Sequence, residues 1–469
     1  MTRSEPQTEA YDLLVLGSGE AGKYIAWNEA ASGRRTALIE RRYIGGSCPN
    51  IACLPSKNII YSASVAHLAG QAAQFGLHPA EPGVEMETVR GRKRTMVDGL
   101  IKVHEGRFAR TGVELIRGEG RFSGPRTIEV ALDGGGVRVL TAEHVVISTG
   151  SRASIDPIPG LVESAPLTHV EALELGVVPA KLVVLGGGYV GLELAQAFRR
   201  LGSEVTIVDR NQRLLSRVDE DVAEAVTRSF LREGIELVTG ARVTQVEGRT
   251  GEQVVLYLEG GQGTPRVSGT HLLVATGRIP NTQGIGLEAA GVALTAAGFV
   301  QVDECLRTTA EGVFAVGDCA GSPHFTHVAF DDHRVVRETL AGRRRVTTGR
   351  LVPSCLFVDP ELAQIGLSET EARKTNTPYR LLKLPMASVL RAVTTGHTEG
   401  FLKALVGVDD DRILGFTALG SSAGEMMATV QLAMSAGLPY TALRDSIFAH
   451  PTYSEGLVYL FSAAPTRVV

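Results

Sequence analysis

Two stretches of the chain carry the same succession of apolar runs and glycine turns. YDLLVLGSGEAGKYIAWNEAASGRRTALIE, Tyr11 to Glu40, reads as an apolar strand, a turn holding Gly17, Gly19 and Gly22, a helical segment, and a second apolar strand ending on Glu40. KLVVLGGGYVGLELAQAFRRLGSEVTIVDR, Lys181 to Arg210, repeats that order with Gly186, Gly188, Gly191 and a closing Asp209. Short apolar runs of strand length alternating with helical periodicity predict βαβ units on parallel sheets. Two more apolar runs, HVVISTGS (His144 to Ser151) and LLVATGRIPN (Leu272 to Asn281), follow each unit at similar distances and end in a Thr-Gly turn. A further one, LRTTAEGVFAVGDCA (Leu306 to Ala320), predicts a strand ending in Gly317-Asp318. The expected class is α/β, with two Rossmann-like dinucleotide-binding domains.

The glycine spacing adds chemistry to the pattern. In G-x-G-x-x-G the first glycine permits the tight turn, the second lets the backbone approach a pyrophosphate, and the third lets the helix pack on the strand. The helix N-terminus then offers unpaired N–H groups to the phosphates. Glu40 and Asp209 stand where an acid accepts from a ribose hydroxyl. One such motif is weak, because it also serves as a packing turn; two, each with strand, helix, strand and terminal acid, imply two bound dinucleotides. The simplest purpose of two is electron transfer, a nicotinamide delivering hydride to a flavin. A carboxylate at Asp318, at the end of a strand, suits a flavin ribitol hydroxyl.

Composition narrows the setting. A chain of 469 residues, 44% hydrophobic and 21% charged, fits about three domains of an ordinary globular protein. The net charge of −4 and a pI near 6.3 give no basic excess for nucleic acid or an anionic membrane surface. The basic runs RGRKR (Arg90 to Arg94) and GRRRV (Gly342 to Val346) are short and read as solvated faces. No run reaches membrane-span length and the polar start is unlike a secretory signal, so a cytoplasmic protein is expected. In a reducing cytoplasm the close pair Cys48 and Cys53, in GGSCPNIACLPSKN, is redox-active or metal-binding rather than a static staple. Zinc needs a second close pair or histidines nearby, and Cys305, Cys319 and Cys355 are scattered singles, so no metal site is predicted.

A regular helix would hold residues 48 and 53 roughly 8 to 9 Å apart at Cα, beyond the approximately 7 Å limit of a disulfide. The pair is therefore expected on a distorted helix entry, with Gly45, Gly46 and Pro49 supplying the irregularity. A thiol there feels the positive end of the helix dipole, which favours thiolate.

The order of fingerprint, C-x4-C, second fingerprint, GD motif and a late FAHPTYSE resembles the pyridine nucleotide-disulfide oxidoreductases, the group of glutathione reductase, dihydrolipoamide dehydrogenase and mercuric reductase. The resemblance covers nearly the whole chain. It implies an FAD domain in two parts (1–155 and 281–350), an NAD(P)H domain inserted between them (156–280), and a C-terminal α+β interface domain (351–469) in a homodimer. The redox pair would be a Cys48–Cys53 disulfide, with Cys48 attacking substrate and Cys53 lying against the flavin as thiolate. Lys57, paired with Glu193, would sit near the flavin, and Tyr189 would gate it. His450, oriented by Glu455, would act as acid/base on the thiol of the other subunit. Gly46, Ser47, Thr149, Gly150, Gly277 and Arg278 complete the expected cofactor contacts.

Departures bear on the substrate. Glu20 and Trp27 stand where glutathione reductases usually carry a Ser and an Arg, which disfavours glutathione, and the tail FSAAPTRVV lacks the vicinal cysteines usual in mercuric reductases. CPNIAC replaces the usual CxNxGC. SGEAGK, FTHVAFDDHRVVRETLAG and AGLPYTALRDSIFAHPTYSE resemble a branch that reduces hypothiocyanous acid or copper(II). Asp209 suits NADH, whereas Arg210, with Arg213 or Arg217, suits the 2′-phosphate of NADPH, and the balance favours NADPH. The expected activity is an FAD-dependent NAD(P)H oxidoreductase acting on a small disulfide, a thiol-reactive oxidant or a metal ion. The alternatives are a dihydrolipoamide dehydrogenase, a flavin oxidase that ignores its disulfide, and a subunit of a larger assembly.

Overall fold

The computed structural model describes residues 8–78, 83–263, 265–465 and 467–468. Its first sheet is built on the Thr8–Leu16 strand, whose last four residues are buried. That strand pairs in parallel with Thr36–Glu40 on one side and with Val137–Ile147 on the other, and Val313–Ala315 extends the sheet past the latter. Continuous apolar runs fit such strands because helices cover both faces of a parallel sheet. The Glu114–Gly124, Thr127–Leu132 and Val137–Ile147 strands run on as an antiparallel flap, which closes the pairings into a ring.

The second fingerprint builds its own parallel sheet in the order His271–Val274, Lys181–Leu185, Glu204–Asp209, Glu236–Thr239. An antiparallel sheet spanning residues 241–269 lies beside it. The chain passes between the two fingerprint units through the antiparallel pair Ser151–Ala153 and Arg278–Pro280. The C-terminal part is a six-stranded antiparallel sheet carrying the Ala423–Ser435 and Gly456–Ser462 helices.

Several local expectations change. The run before Gly317 is strand only over Val313–Ala315; Arg307 and Thr308 make isolated bridges, and Gly317–Ala320 is a 3-10 turn. The basic run at 90–94 is not simply solvated, because Lys93 is buried and paired with Glu174, which also binds Arg94. The run at 342–346 is exposed, but its three arginines pair with Glu338, Glu304 and Asp331.

A buried ion cluster joins the second fingerprint unit to the C-terminal sheet. Lys403, with no exposed surface, donates to Asp219 (2.8 Å), Asp221 (2.9 Å) and Glu369 (3.3 Å). These acids are the one group among the described residues close enough to hold a metal ion, and the Lys403 ammonium sits among them. Burial alone would raise Asp219, but Lys403 and the Thr370 amide and hydroxyl hold it down to about 2.

Candidate active site

The segment after the first βαβ unit explains how two cysteines five positions apart can meet. Ser47–Asn50 forms a short helix, Cys53–Gly70 a long one, and between them Ile51 (φ −138°, ψ 2°) and Ala52 (φ −132°, ψ −102°) leave helical geometry. The irregularity therefore lies at Ile51–Ala52, while Pro49 sits inside the short helix. Both cysteines are free thiols, half-buried, and hydrogen-bonded to each other.

The two sulfurs share one proton unequally. Cys53, the first residue of its helix, is lowered to about 6, chiefly by the hydrogen bond from Cys48; the Thr326 hydroxyl, 3.2 Å away, and the Lys57 charge add to this against the cost of burial. Cys48 is pushed up by the same bond, by burial and by the neighbouring Cys53 charge. The pair thus rests as a Cys53 thiolate beside a Cys48 thiol.

Lys57 and Glu193 meet at 2.6 Å, with Glu193 buried and also accepting from the Phe357 amide at 3.0 Å. The Lys57 ammonium lies 4.7 Å from the centre of the Phe357 ring. Tyr189 opens the second fingerprint helix, its hydroxyl 3.4 Å from Ser354 and its ring 6.5 Å from Phe325.

Four of the six fingerprint glycines, Gly17, Gly22, Gly186 and Gly191, leave room only for backbone. At Gly17, with φ +98°, a Cβ would fall 2.4 Å from the Ser148 carbonyl oxygen, and at Gly186, with φ +114°, one would fall 2.5 Å from that of Ala275. Each fingerprint turn therefore touches the strand end before its own Thr-Gly turn. A Cβ at Gly46 would meet the Gly19 Cα at 2.6 Å, so the loop carrying Cys48 and Ser47 rests directly on the first fingerprint. Gly22 and Gly191 are equally crowded by the Gly17 and Gly186 carbonyls. The Thr276 hydroxyl, beside Gly277, is buried without a partner. A cradle that any Cβ would fill and a buried hydroxyl without a partner both fit dinucleotides in these turns.

The terminal acids are engaged. Glu40 accepts from the Ser18 amide (2.8 Å) and hydroxyl (2.6 Å), and from the amides of Arg42 and Tyr43. Asp209 accepts from the Gly187 amide (2.6 Å) and from Asn211. Ser151 donates to Asp318, and Arg278 binds Ser151 at 2.9 Å while approaching Asp318 at 3.8 Å. Asn281 holds the Thr149 carbonyl next to Gly150.

A cavity of about 1490 Å³ opens beside the second fingerprint, lined by Gly186, Gly188, Tyr189, Asp209, Arg210 and Arg217 among others. Arg210 and Arg217 are exposed there. Arg213 instead donates to the Ser216 and Val218 carbonyls, so it shapes the loop.

His450 Nδ1 donates to Glu455 at 3.0 Å, and Glu455 also accepts from Tyr459. Hydrogen bonding to His450 lowers Glu455. His450 is 62% exposed and, among the described residues, has no hydrogen bond to Cys48 or Cys53 of its own chain.

Two neighbours of the site, both within FTHVAFDDHRVVRETLAG, are given no role by the sequence reading. Thr326, at the start of the Thr326–Leu340 helix, supports the Cys53 thiolate. Asp332, fully buried, accepts from the Gly317 amide, Ser322 and Arg350 and so fixes the GD turn. The sequence signal for Asp332 is a carboxylate on the apolar side of an amphipathic helix; Thr326 leaves none.

Comparison with known proteins matches residues 11–332 to the model of the pyridine nucleotide-disulphide oxidoreductases, and residues 352–461 to the dimerisation domain of that name. A mercuric reductase of Acidithiobacillus ferrooxidans is 36% identical over 95% of this chain and 81% of its own length. A dihydrolipoyl dehydrogenase of Thermus scotoductus is 35% identical over 96% of both. Among solved structures, the Cu(II) complex of the HOCl-induced flavoprotein disulfide reductase RclA from Escherichia coli superposes with a TM-score of 0.88 at 33% identity, covering 97% of this chain and 99% of that one.

Proposed function

Because this chain belongs to the pyridine nucleotide-disulphide oxidoreductase family, an NAD(P)H-dependent flavoprotein enzyme with a dimerisation domain, we propose that it passes electrons through Cys48 and Cys53 to a small thiol-reactive oxidant, disulfide or thiophilic metal ion. The observation that carries this reading is the meeting of Cys48 and Cys53 across the break at Ile51–Ala52, on a loop that rests directly on the first fingerprint. Bound FAD would supply the hydride acceptor that links NAD(P)H to the dithiol, resting in the Gly17–Gly22 and Gly46–Ser47 cradle.

The chain's own residues set the order of events. Cys48 holds the proton at rest, so its attack needs a base, and His450 of the partner subunit, oriented by Glu455, serves as one. With hypothiocyanous acid, Cys48 sulfur bonds the electrophilic sulfur and hydroxide leaves as water on taking the released proton. The Cys53 thiolate then attacks Cys48 and expels thiocyanate, leaving the disulfide two electrons poorer. The thiolate is held for that second step by Thr326 and Lys57. With Cu(II), two metal ions take one electron each as the Cys48–Cys53 bond forms, and the Cys48 proton leaves through His450 of the partner subunit.

Our domain reading at 1–155, 156–280, 281–350 and 351–469 is supported by the single crossing at Ser151–Ala153 and Arg278–Pro280. We place the enzyme in the cytoplasm, where reduced coenzyme recharges a dithiol at every turnover; no helix among the described residues is long and apolar enough to cross a membrane.

Steady-state assays of the purified enzyme with hypothiocyanous acid, Cu(II), Hg(II), lipoamide and glutathione disulfide test this reading. Turnover of the small oxidant or a metal ion above lipoamide is expected. Preference for lipoamide would favour the dehydrogenase reading, which the Thermus scotoductus relative supports.

The coenzyme carries its own prediction. Arg210 lines the cavity beside the Asp209 turn and has no ion-pair partner among the described residues. A lost charge-assisted bond costs about 1.5 to 3 kcal/mol, so Arg210→Ala should raise the NADPH KM roughly 10- to 100-fold and leave NADH nearly unchanged. Equal effects on both coenzymes would remove the 2′-phosphate from Arg210.

The dimer carries another. Mixed dimers of His450→Ala and Cys48→Ala subunits should keep one competent site of two, about half the wild-type rate, whereas each parent dimer is inactive. Inactive mixed dimers would show that the base comes from the same subunit.

A further inference from the structure

We propose that His169 binds the nicotinamide half of the coenzyme, a contact that NADH and NADPH share. The proposal rests on the coenzyme occupying the cavity beside the second fingerprint, and it adds a residue to that site. His169 lines the cavity wall together with Thr276, Gly277 and Arg278. It is 7% exposed, and its Nε2 is buried without a hydrogen-bond partner, as is the Thr276 hydroxyl. Two such groups on one wall of one cavity call for a ligand, because a buried polar atom left unpaired costs its full desolvation.

Sheet order fixes which half of the dinucleotide they meet. Leu167 runs parallel to Leu273, donating to the Leu272 carbonyl and accepting from the Val274 amide, each at 2.8 Å. That register carries His169 to the carboxyl end of the sheet, beside the Thr276-Gly277 turn, where open α/β sheets hold their ligands. The His271–Val274 and Glu204–Asp209 strands lie on opposite sides of Lys181–Leu185, which leads into the Gly186–Gly191 turn. A dinucleotide with its pyrophosphate at that turn and its adenosine at Asp209 and Arg210 therefore has its nicotinamide half on the His169 side. The backbone around His169 is held in place, since Glu171 accepts from the Thr168 amide at 2.9 Å and hydroxyl at 2.5 Å. Burial and the Arg278 charge push the imidazole down to about 4, so at neutral pH it offers one N–H or one lone pair and no charge. That suits a ribose hydroxyl or the carboxamide rather than a phosphate.

Calorimetric titration of the oxidised holoenzyme tests this without turnover, using NADP+, NAD+ and 2′,5′-ADP, which carries the phosphorylated adenosine half alone. H169L should weaken NADP+ and NAD+ by the same factor, about 3- to 10-fold for one lost hydrogen bond, and leave 2′,5′-ADP unchanged. H169Q, whose amide nitrogen reaches the Nε2 position, should recover most of the loss, and H169N, too short to reach it, should not. NADP+ and NAD+ affinities unchanged in H169L and H169N would overturn the proposal and leave the nitrogen to a buried water. An equal weakening of 2′,5′-ADP would overturn it as well, making His169 a structural part of the wall. An oxidant panel without turnover would defeat the proposed function and leave these affinities as they are, so the two failures are distinguishable.

Discussion

Replacing either cysteine should lower oxidant turnover at least about 1000-fold, yet the two variants should fail differently. Cys48→Ala removes the attacking thiol together with the hydrogen bond that chiefly lowers Cys53, so the alkylation midpoint of Cys53 should move up from about 6. Cys48→Ser keeps a hydroxyl donor at that position and should keep the midpoint low. With flavin bound, Cys48→Ser should show the long-wavelength absorbance of a thiolate against the ring without any reductant, and Cys53→Ser should not. Flavin reduction by NAD(P)H should survive in both. Visible spectra and pH-dependent alkylation of the purified variants read these outcomes; the absorbance appearing in Cys53→Ser alone would exchange the roles.

Lys403→Met should cost stability rather than chemistry. It removes the ammonium shared by Asp219, Asp221 and Glu369; Asp221 keeps Lys383 and Glu369 keeps Arg373, but buried Asp219 loses its ion pair, and breaking a buried ion cluster from one side costs about 3 to 5 kcal/mol. Chemical denaturation should show that loss. The triple change Lys403→Met with Asp219→Asn and Glu369→Gln should recover part of it, because the uncompensated charge is reduced. The pH dependence has a definite sign. Asp219 is depressed from 3.8 to about 2 on folding, so its contribution, about 2 kcal/mol, is present above pH 4 and lost as the pH falls towards 2. Lys403 is raised despite its burial, so its contribution is complete at neutral pH and is lost only in strong alkali. Wild-type stability at neutral pH in Lys403→Met would reduce the cluster to a passive contact.

The sequence showed the two fingerprints and the C-x4-C pair because short-range backbone constraints write them locally: a turn that excludes a Cβ must be glycine. It showed His450 with Glu455 and Lys57 with Glu193 only through resemblance, since no period or spacing relates positions 57 and 193. The break at Ile51–Ala52 was expected in kind but not in place, because neither residue type announces a change of backbone angle. Lys403 and Thr326 were out of reach, as Asp219 and Asp221 lie more than 180 positions from Lys403 and Cys53 more than 270 from Thr326. The signal for Lys403 is a lysine inside FLKALVG, a strand buried at every position, where an ammonium needs an anionic partner. Arg213 fell on the wrong side of its own loop, a choice made by the Ser216 and Val218 carbonyls.

The central claim is that reducing equivalents from the coenzyme reach Cys48 and Cys53 as a dithiol–disulfide pair. The direct measurement is thiol labelling of the purified holoenzyme by mass spectrometry, after air oxidation and again after anaerobic NADPH. The account predicts that Cys48 and Cys53 resist labelling in the oxidised enzyme, in a peptide two hydrogen atoms lighter than the dithiol, and that both become reactive after NADPH. Cys48 and Cys53 labelling equally before and after NADPH would contradict it.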